Sequence, residues 1–366
     1  MNDIFITAIN INKVRHIENF NIPLSETERK HLIITGKNGS GKTSLIKQIK
    51  ESIAGLMQNY SSDNISLNLN KQDFRNDFDT GKYITAFFES KRLTSIQIPQ
   101  GINKVNLQQR CLPHERLNHI FIQYIVNLRA ERAFARDDND EESIKKINEW
   151  FERFEHRLKD LFDAPDLKLV FDRKHYNFYI EIPNHEPFTL TELSDGYSAV
   201  LTIVTELIMR MEATGNQAYD VQGVVLIDEI ETHLHVALQK KIMPFLCDFF
   251  PKIQFIVTTH SPFVLSSINN AVVCDLETRE VINSDLSGYS YDALVESYFD
   301  TDKYSEEVKT KLAIFEQLSD KTELNEEEQD LYEDLNDYFN NLPTFRADEL
   351  AVKLQQIKLK KLTSKK

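Results

Sequence analysis

This sequence has few cysteines, no long apolar run and no excess of positive charge. Its three cysteines, Cys111, Cys247 and Cys274, lie far apart without a C-x-x-C pair, which argues against a disulfide framework or a zinc site. No apolar run approaches the roughly 18 residues of a membrane-spanning helix, and Met1-Asn2-Asp3 does not begin a signal peptide. We therefore expect a cytoplasmic protein with buried thiols and no membrane partner.

The charge balance is acidic, with 57 acidic against 43 basic residues and a formal net charge of −14. A net negative charge of this size opposes general affinity for the nucleic acid backbone. A local basic patch is compatible with this total, so nucleic acid stays a possible partner. The 366 residues, 41% of them hydrophobic, predict one large or two modest domains with a sizeable core.

A glycine-rich segment, Gly36 to Thr43, reads G-x-x-x-x-G-K-T. It follows the apolar run Leu32 to Ile34 and precedes apolar residues at helical spacing from Leu45 to Ile53, so the pattern predicts a strand that enters a helix through a phosphate-binding loop. Glycines allow successive N–H groups to point at phosphate oxygens, and the helix adds its positive end. Lys42 is predicted to reach the β- and γ-phosphates, and the Thr43 hydroxyl to hold Mg²⁺. The expected nucleotide contacts from this segment are Gly36, Asn38, Gly39, Ser40, Gly41, Lys42, Thr43 and Ser44.

Two further apolar runs predict buried strands that end in polar residues. Val224 to Ile227 leads into Asp228 and Glu229, and Ile253 to Thr258 leads to His260. In an open α/β sheet, ligands bind at the carboxyl ends of the strands. We expect Asp228 to hold Mg²⁺ through water, Glu229 to accept a proton from the attacking water, and His260 to donate a hydrogen bond to the γ-phosphate.

The segment Leu193 to Tyr197, Leu-Ser-Asp-Gly-Tyr, precedes another apolar helical pattern. This order places Ser194, Asp195 and Gly196 at a helix N-terminus, where free N–H groups and the helix dipole can bind an anion. Taken alone, the same residues are also typical of an ordinary helix cap.

The remaining segments predict two helical additions. Helical spacing on either side of an acidic turn at Asp137 to Asp140 predicts a helical hairpin inserted at about 114–163, and alternating apolar residues on either side of Asp172 to His175 predict a β-hairpin. Beyond a strand at Ala271 to Asp275, which we expect to close the sheet, apolar spacing predicts three helices. These lie around 308–318, 331–339 and 350–357.

In their order along the chain, these motifs resemble those of the ABC ATPase superfamily. Gly36 to Thr43 resembles its Walker A motif, Leu193 to Tyr197 its signature, Val224 to Glu229 its Walker B motif and His260 its switch histidine. The runs Asp228-Glu-Ile-Glu-Thr-His-Leu-His235 and Thr258-Thr-His-Ser-Pro262 look like the soluble branch that contains the OLD, RecF and Rad50/SMC-like ATPases. Many short members of that branch are ATPase subunits of bacterial anti-phage defence systems.

The resemblance implies a fold, cofactors and a domain division. The fold would be α/β, a P-loop ABC-ATPase head with a mixed sheet flanked by helices, and it would use ATP and Mg²⁺. We expect the head at 1–275 and a helical extension at 276–366. ABC-type geometry places the signature too far from its own phosphate loop to complete one site. The resemblance therefore implies a head-to-tail homodimer, alone or within a higher oligomer, in which Ser194 and Gly196 of one subunit meet the γ-phosphate held by the other.

Three departures from the family pattern are visible. Asp195 replaces a signature glycine, neither Gln97 nor Gln100 can be assigned as the family's Q-loop glutamine, and the helical insertion is too short for the coiled coils of Rad50 or SMC proteins. OLD nucleases also carry a Toprim nuclease domain after the ATPase, whereas the D-x-D at Asp300 and Asp302 follows no buried strand and is predicted to form a turn.

These features lead to one preferred function and two alternatives. We expect an ATP-hydrolysing switch that controls a separate effector, such as a nuclease, in anti-phage defence. A RecF- or Rad50-like DNA repair ATPase is the first alternative, and it predicts DNA-stimulated hydrolysis that falls with salt. A transporter's nucleotide-binding subunit is the second, and the altered signature and the long tail disfavour it.

Overall fold

The computed structural model describes residues 3–58, 60, 62–71, 74–92, 96–215, 219–283, 288, 306–319, 321 and 324–340. The chain divides into two compact units, Met1–Tyr291 and Asp292–Lys366. The helix expected around 350–357 and the turn expected at Asp300 to Asp302 lie outside the described residues.

The strands of the first unit form three sheets. In chain order they are β1 (Ile6–Val14), β2 (Ile17–Pro23), β3 (His31–Thr35), β4 (Ile65–Leu69), β5 (Tyr83–Phe88), β6 (Lys168–Asp172), β7 (Asn177–Glu181), β8 (Phe188–Thr189), β9 (Gln222–Ile227), β10 (Ile253–Thr258), β11 (Ala271–Asp275) and β12 (Glu280–Ile282).

The helices of the first unit lie between these strands. They are α1 (Lys42–Gln58), α2 (Phe74–Asp79), α3 (Phe121–Asp137), α4 (Glu141–Phe162), α5 (Asp195–Ala213), α6 (Val236–Phe249) and α7 (Pro262–Leu265), with a short 3₁₀ turn at Asn118–Ile120. Among the described helices, none is long and apolar enough to cross a membrane.

The central sheet has six strands in the order β12-β11-β3-β10-β9-β5. All neighbours are parallel except β11 and β12, so the sheet is mixed and its parallel strands end at one edge. Every residue of β3, β5, β10 and β11 is buried, which fits strands covered on both faces. The predicted α/β fold with a mixed sheet flanked by helices is therefore confirmed.

The edge of this sheet differs from the expectation that the strand Ala271–Asp275 closes it. That expectation was wrong, because β12 pairs antiparallel with β11, with Val273 opposite Ile282. Only three residues form β12, a length too short to show the alternation that marks a strand in the sequence.

A second sheet is antiparallel, has the strand order β2-β1-β4 and contains the first two strands of the chain. Its apolar side chains share one buried cluster with α1 and the central sheet. Ile9, Ile22, Ile49, Ile34 and Leu226 are members of that cluster. This packing fixes the start of α1 against the ends of the central strands.

The inserted helical hairpin predicted from the sequence is present as α3 and α4. Asp140 caps α4 by accepting the Ser143 N–H at 3.1 Å. Aromatic rings hold the two helices together, with ring centroids 5.4 Å apart for Phe121 and Phe154 and 6.0 Å apart for Tyr124 and Trp150. The predicted β-hairpin follows as β6 and β7, with the third sheet completed by β8.

Two of the three predicted C-terminal helices lie in the described part of the second unit, Glu306–Ser319 and Glu326–Asn340. They pack on each other through buried Phe315, Leu335 and Phe339. The rings of Phe315 and Tyr332 stack at 4.8 Å.

Candidate nucleotide-binding site

The segment between β3 and α1 is a loop that requires its glycines. Gly36, Gly39 and Gly41 have φ of +129°, +87° and +100°, values that residues with a Cβ rarely adopt. A Cβ on Gly36 would also lie 2.9 Å from Ser40 Oγ. Ser40 Oγ is itself buried without a hydrogen-bond partner among the described residues, so the loop holds an unused hydroxyl donor. A loop with this backbone at a helix N-terminus suits a phosphate.

Lys42, the first residue of α1, folds back over this loop. Its Nζ donates to the carbonyl oxygens of Gly36 at 2.8 Å and Lys37 at 3.0 Å, which uses two of its three donors. Burial lowers the pKa of Lys42, and nearby carboxylates, Glu229 first among them, act in the opposite direction. A buried ammonium held at this place can offer its remaining donor to an anion in the cavity.

Asp228 lies directly after β9 and is buried. Its Oδ1 accepts the hydroxyl of Thr43 at 3.3 Å and that of Thr258 at 2.6 Å. A threonine hydroxyl beside a carboxylate is a donor set that suits Mg²⁺, which prefers oxygen and uses one or two carboxylates with substrate phosphates. Among the described residues, no group of three or more His, Cys, Asp or Glu side chains is placed to hold a metal ion.

Glu229 continues from Asp228 in a left-handed backbone conformation, with φ of +46°. Its N–H donates to Thr258 Oγ1 at 2.7 Å, and the Thr232 hydroxyl donates to its Oε2 at 3.3 Å. Glu229 is one of the residues that line the cavity beside the phosphate loop. A carboxylate at this position can accept a proton from a water molecule in the cavity.

His260 follows β10 and precedes α7, whose N-cap Ser261 accepts the Phe263 N–H at 3.2 Å. The backbone N–H of His260 donates to Glu231 Oε1. Burial and the charge of Lys42 lower the pKa of His260, although Glu231, Glu229 and Asp228 raise it. Both burial and the charge of Lys42 favour the neutral imidazole, which has one ring N–H to donate.

These side chains meet at one cavity at the carboxyl edge of the central sheet. Its lining residues are Arg15, Asn38, Gly39, Gly41, Lys42, Thr43, Ser44, Glu229 and His260. The phosphate loop, the Glu229 carboxylate and the His260 ring are thus brought together at one cavity. Gln97 and Gln100 are exposed and are not among these lining residues.

The residues expected from the signature, Ser194, Asp195 and Gly196, do not line this cavity within the described chain. Ser194 is the N-cap of α5 in an extended conformation, and its side chain forms no capping hydrogen bond. A Cβ on Gly196 would lie 3.0 Å from the His233 carbonyl oxygen, so the start of α5 packs closely against the segment after Glu229. His235, two residues later, caps α6 by accepting the Ala237 N–H at 3.4 Å.

Three residues at the site were given no role from the sequence, although Thr258 lies in the run Thr258-Thr-His-Ser-Pro262. Thr258 orients Asp228, Arg15 in the turn between β1 and β2 lines the cavity, and Arg92 after β5 contacts the backbone beyond Asp228. The position of Thr258 at a strand end is a weak signal. No local pattern distinguishes either arginine.

Comparison with known proteins agrees with this geometry. Residues 32–266, more than half of the chain, match the family AAA_21, described as "AAA domain, putative AbiEii toxin, Type IV TA system". The chain belongs to this family. The match begins at β3 and ends in the turn that follows α7, so it includes the phosphate loop, the start of α5, Asp228, Glu229 and His260.

Two curated relatives and one solved structure illustrate the similarity. The chain is 27% identical over 342 residues to the Septu protein PtuA of Bacillus mycoides (strain KBAB4), covering 81% of this chain and 44% of the relative. It is 38% identical over 90 residues to the Retron Ec83 probable ATPase of Escherichia coli, covering 24% of this chain and 17% of the relative. This chain therefore spans less than half the length of these relatives. The SMC head domain from Thermotoga maritima aligns with a TM-score of 0.39 at 16% identity, covering 74% of this chain and 94% of that one.

Proposed function

We propose that this protein binds and hydrolyses ATP at the cavity lined by the phosphate loop, Glu229 and His260, with Asp228 bound to Thr43 beside it. The observation that carries the proposal is the meeting of a glycine loop, a buried lysine and two acidic residues at the carboxyl edge of a parallel sheet. Membership of the AAA_21 family supports the same activity.

Each side chain has a role in this proposal that follows from its chemistry. The loop N–H groups and Lys42 bind the phosphates, and Thr43 with Asp228 would hold Mg²⁺, which would offset phosphate charge. Glu229 accepts the proton of the attacking water. The neutral His260 ring donates a hydrogen bond to the γ-phosphate, and this bond is lost when the phosphate leaves.

We also propose that two copies of the chain close around ATP. Ser194, Asp195 and Gly196 begin α5 but do not line the cavity of their own chain, in the part of it that the structure describes. A head-to-tail partner would bring its α5 N-terminus, with free N–H groups and the positive end of the helix dipole, to the γ-phosphate. ATP would then favour the closed pair, and hydrolysis would release it.

The switch is proposed to act in the cytoplasm on a separate effector, such as a nuclease, in anti-phage defence. The resemblance of the motifs to the OLD-like branch supports this role. So does similarity to the Septu protein PtuA and to a retron ATPase. The helical hairpin α3–α4 is the proposed contact region, because it is an insertion that the ATP cavity does not use.

The test uses purified protein and its Glu229→Gln variant. Wild-type protein should hydrolyse ATP, and Glu229→Gln should lower kcat at least about 100-fold, the usual contribution of a general base. The variant with ATP and Mg²⁺ should be a dimer in light scattering at micromolar concentration, whereas Lys42→Ala should not respond to ATP. A Glu229→Gln protein that stays monomeric with bound ATP would contradict the dimer proposal and leave the ATPase proposal standing.

A further inference from the structure

Arg92 lies four residues after the end of β5, at the carboxyl edge of the sheet beside β9. Its side chain is buried, with 7% of the residue exposed. Burial lowers the pKa of Arg92 to about 10, while the charges of Glu231, Asp228 and Glu229 act to raise it. The guanidinium therefore stays charged at neutral pH. A buried charge of this kind needs dedicated acceptors.

Four acceptors of Arg92 are backbone carbonyl oxygens of one short segment, Asp228–Thr232, which we call the acidic turn. A fifth, Glu89 O, lies outside the turn at 3.4 Å from Nη1. Nη1 donates to Asp228 O at 3.0 Å, and Nη2 donates to Glu229 O at 3.1 Å. Nη2 also lies 3.1 Å from Ile230 O and 3.3 Å from Thr232 O. One guanidinium thus faces four carbonyl oxygens of a five-residue turn.

This arrangement explains how the acidic turn keeps an unusual backbone. Four carbonyl dipoles that converge on one point repel each other unless a cation lies between them. Glu229 itself holds a left-handed φ of +46°, a conformation that residues with a side chain rarely adopt. On the opposite side of the turn, Thr258 Oγ1 accepts the Glu229 N–H at 2.7 Å, so the peptide of Glu229 is held from both sides.

We propose that Arg92 is a positioning residue for ATP hydrolysis: by binding the carbonyls of the acidic turn it holds the Glu229 carboxylate at the cavity. This inference rests on the proposed ATPase function. Arg92 does not itself line the cavity within the described chain, so it acts through Glu229 rather than on the substrate.

The test compares Arg92→Lys and Arg92→Ala with wild-type protein. Lysine keeps the charge but has three donors on one nitrogen in place of a five-donor fork, so it cannot reach all four carbonyls. We expect kcat to fall at least about tenfold while the KM for ATP changes less than about threefold. Added guanidinium ion at millimolar concentration should restore part of the kcat of Arg92→Ala.

Arg116 supplies a matched control. It is a partly buried arginine that donates to the backbone carbonyls of Phe87, Pro113 and Glu115, none of which belongs to the acidic turn. Arg116→Lys should therefore keep the wild-type kcat, and guanidinium should not raise the activity of Arg116→Ala.

Amide hydrogen exchange of the nucleotide-free protein separates this inference from the proposed function. Arg92→Lys should speed exchange at Glu229 and Ile230, whose N–H groups donate to Thr258 Oγ1 and Thr258 O. Unchanged exchange overturns the positioning role, whether or not the wild type hydrolyses ATP. Faster exchange with an unchanged kcat overturns it as well. If the wild type has no ATPase activity but exchange is faster in Arg92→Lys, the proposed function is refuted. The contact between Arg92 and the acidic turn is then still supported.

Discussion

Thr258, at the end of β10, donates its hydroxyl hydrogen to the Asp228 carboxylate at the end of β9, with 2.6 Å between the oxygens. The same hydroxyl oxygen accepts the Glu229 N–H at 2.7 Å, so one side chain orients both acidic residues. The Thr43 hydroxyl reaches the same Asp228 oxygen at 3.3 Å. Three segments that are far apart in the sequence are therefore joined around one carboxylate.

Lys42→Ala should weaken ATP binding without unfolding the protein. The lost interaction is a charge-assisted hydrogen bond to phosphate of roughly 1.5–3 kcal/mol, so the Kd for ATP should rise at least about tenfold. Titration with a fluorescent ATP analogue measures this change. Lys37→Ala is the control on the same loop, because the Lys37 side chain is 69% exposed and pairs with Glu277 at 2.7 Å. If Lys42→Ala and Lys37→Ala raise the Kd for ATP equally, Lys42 has no special role in binding the phosphates.

Mixing two inactive variants tests whether the signature acts on the partner's ATP. Ser194→Arg should block the contributed helix end, and Lys42→Ala should disable the phosphate loop, so each homodimer is inactive. In a mixed dimer, one site combines the intact loop of one chain with the intact α5 N-terminus of the other. A one-to-one mixture should therefore recover about one quarter of the wild-type ATPase rate.

The control for this experiment is the double variant Lys42→Ala with Ser194→Arg. Mixed with either single variant it leaves no intact site, so no activity should return. If the single variants together also recover nothing at micromolar concentration, the two-chain site is wrong. If Ser194→Arg alone keeps the wild-type rate, the helix end has no part in hydrolysis.

Local sequence patterns account for the elements that were predicted correctly. The strand, loop and helix from His31 to Gln58 are signalled by apolar residues on both sides of closely spaced glycines. The two helices of the insertion are signalled by long apolar stripes, and Asp228 and Glu229 by an apolar run that ends in charge. In each example the signal lies within one short segment of sequence.

What was missed depends on contacts between distant residues. Arg92 donates to backbone carbonyl oxygens that lie 136–140 residues further along the sequence. Every residue has a backbone carbonyl, so an isolated arginine after a strand shows no sequence pattern that would reveal these contacts. The glutamines that were considered for the same loop, Gln97 and Gln100, are exposed instead. The buried ion pair of Glu206 and Arg210 could not be predicted either, because both residues lie in a helix whose sequence is mostly apolar.

Glu206→Gln should strongly destabilise the first unit. The carboxylate is fully buried, binds Arg210 Nε at 2.7 Å and accepts the N–H groups of Leu117 and Asn118 at 2.6 and 2.8 Å. Removing its charge leaves the buried Arg210 uncompensated, which typically costs about 3–5 kcal/mol. Urea unfolding measures the loss. Glu149→Gln is the control, since its pair with Lys145 is exposed and should contribute less than about 1 kcal/mol.

If Glu206→Gln lowers the free energy of unfolding by less than about 1 kcal/mol, the pair of Glu206 and Arg210 does not hold the beginning of the helical insertion on α5. In that event Arg210 would have to be satisfied by its carbonyl acceptors alone. Those include Leu112 O at 3.2 Å.

The last prediction concerns acid stability and His31, the first residue of β3. His31 is 6% exposed, and its Nδ1 accepts the Phe255 N–H at 3.1 Å, so the fold needs the neutral ring. Burial, helped by the charges of Arg29 and Lys30, lowers its pKa from 6.5 to about 4. Between these two values the unfolded chain binds the proton and the folded chain does not, so stability is lost as pH falls from 6.5 towards 4.

The size and origin of this loss can be measured by urea unfolding from pH 7 downwards. A shift of this size corresponds to at most about 3 kcal/mol of unfolding free energy, all of it present above the unfolded pKa. His31→Asn keeps an acceptor for the Phe255 N–H but does not titrate, so its stability should fall less steeply with acid than that of the wild type. His156→Asn, at a side chain that is 70% exposed, should follow the wild-type profile. Parallel profiles for wild type and His31→Asn would mean that other groups set the acid sensitivity.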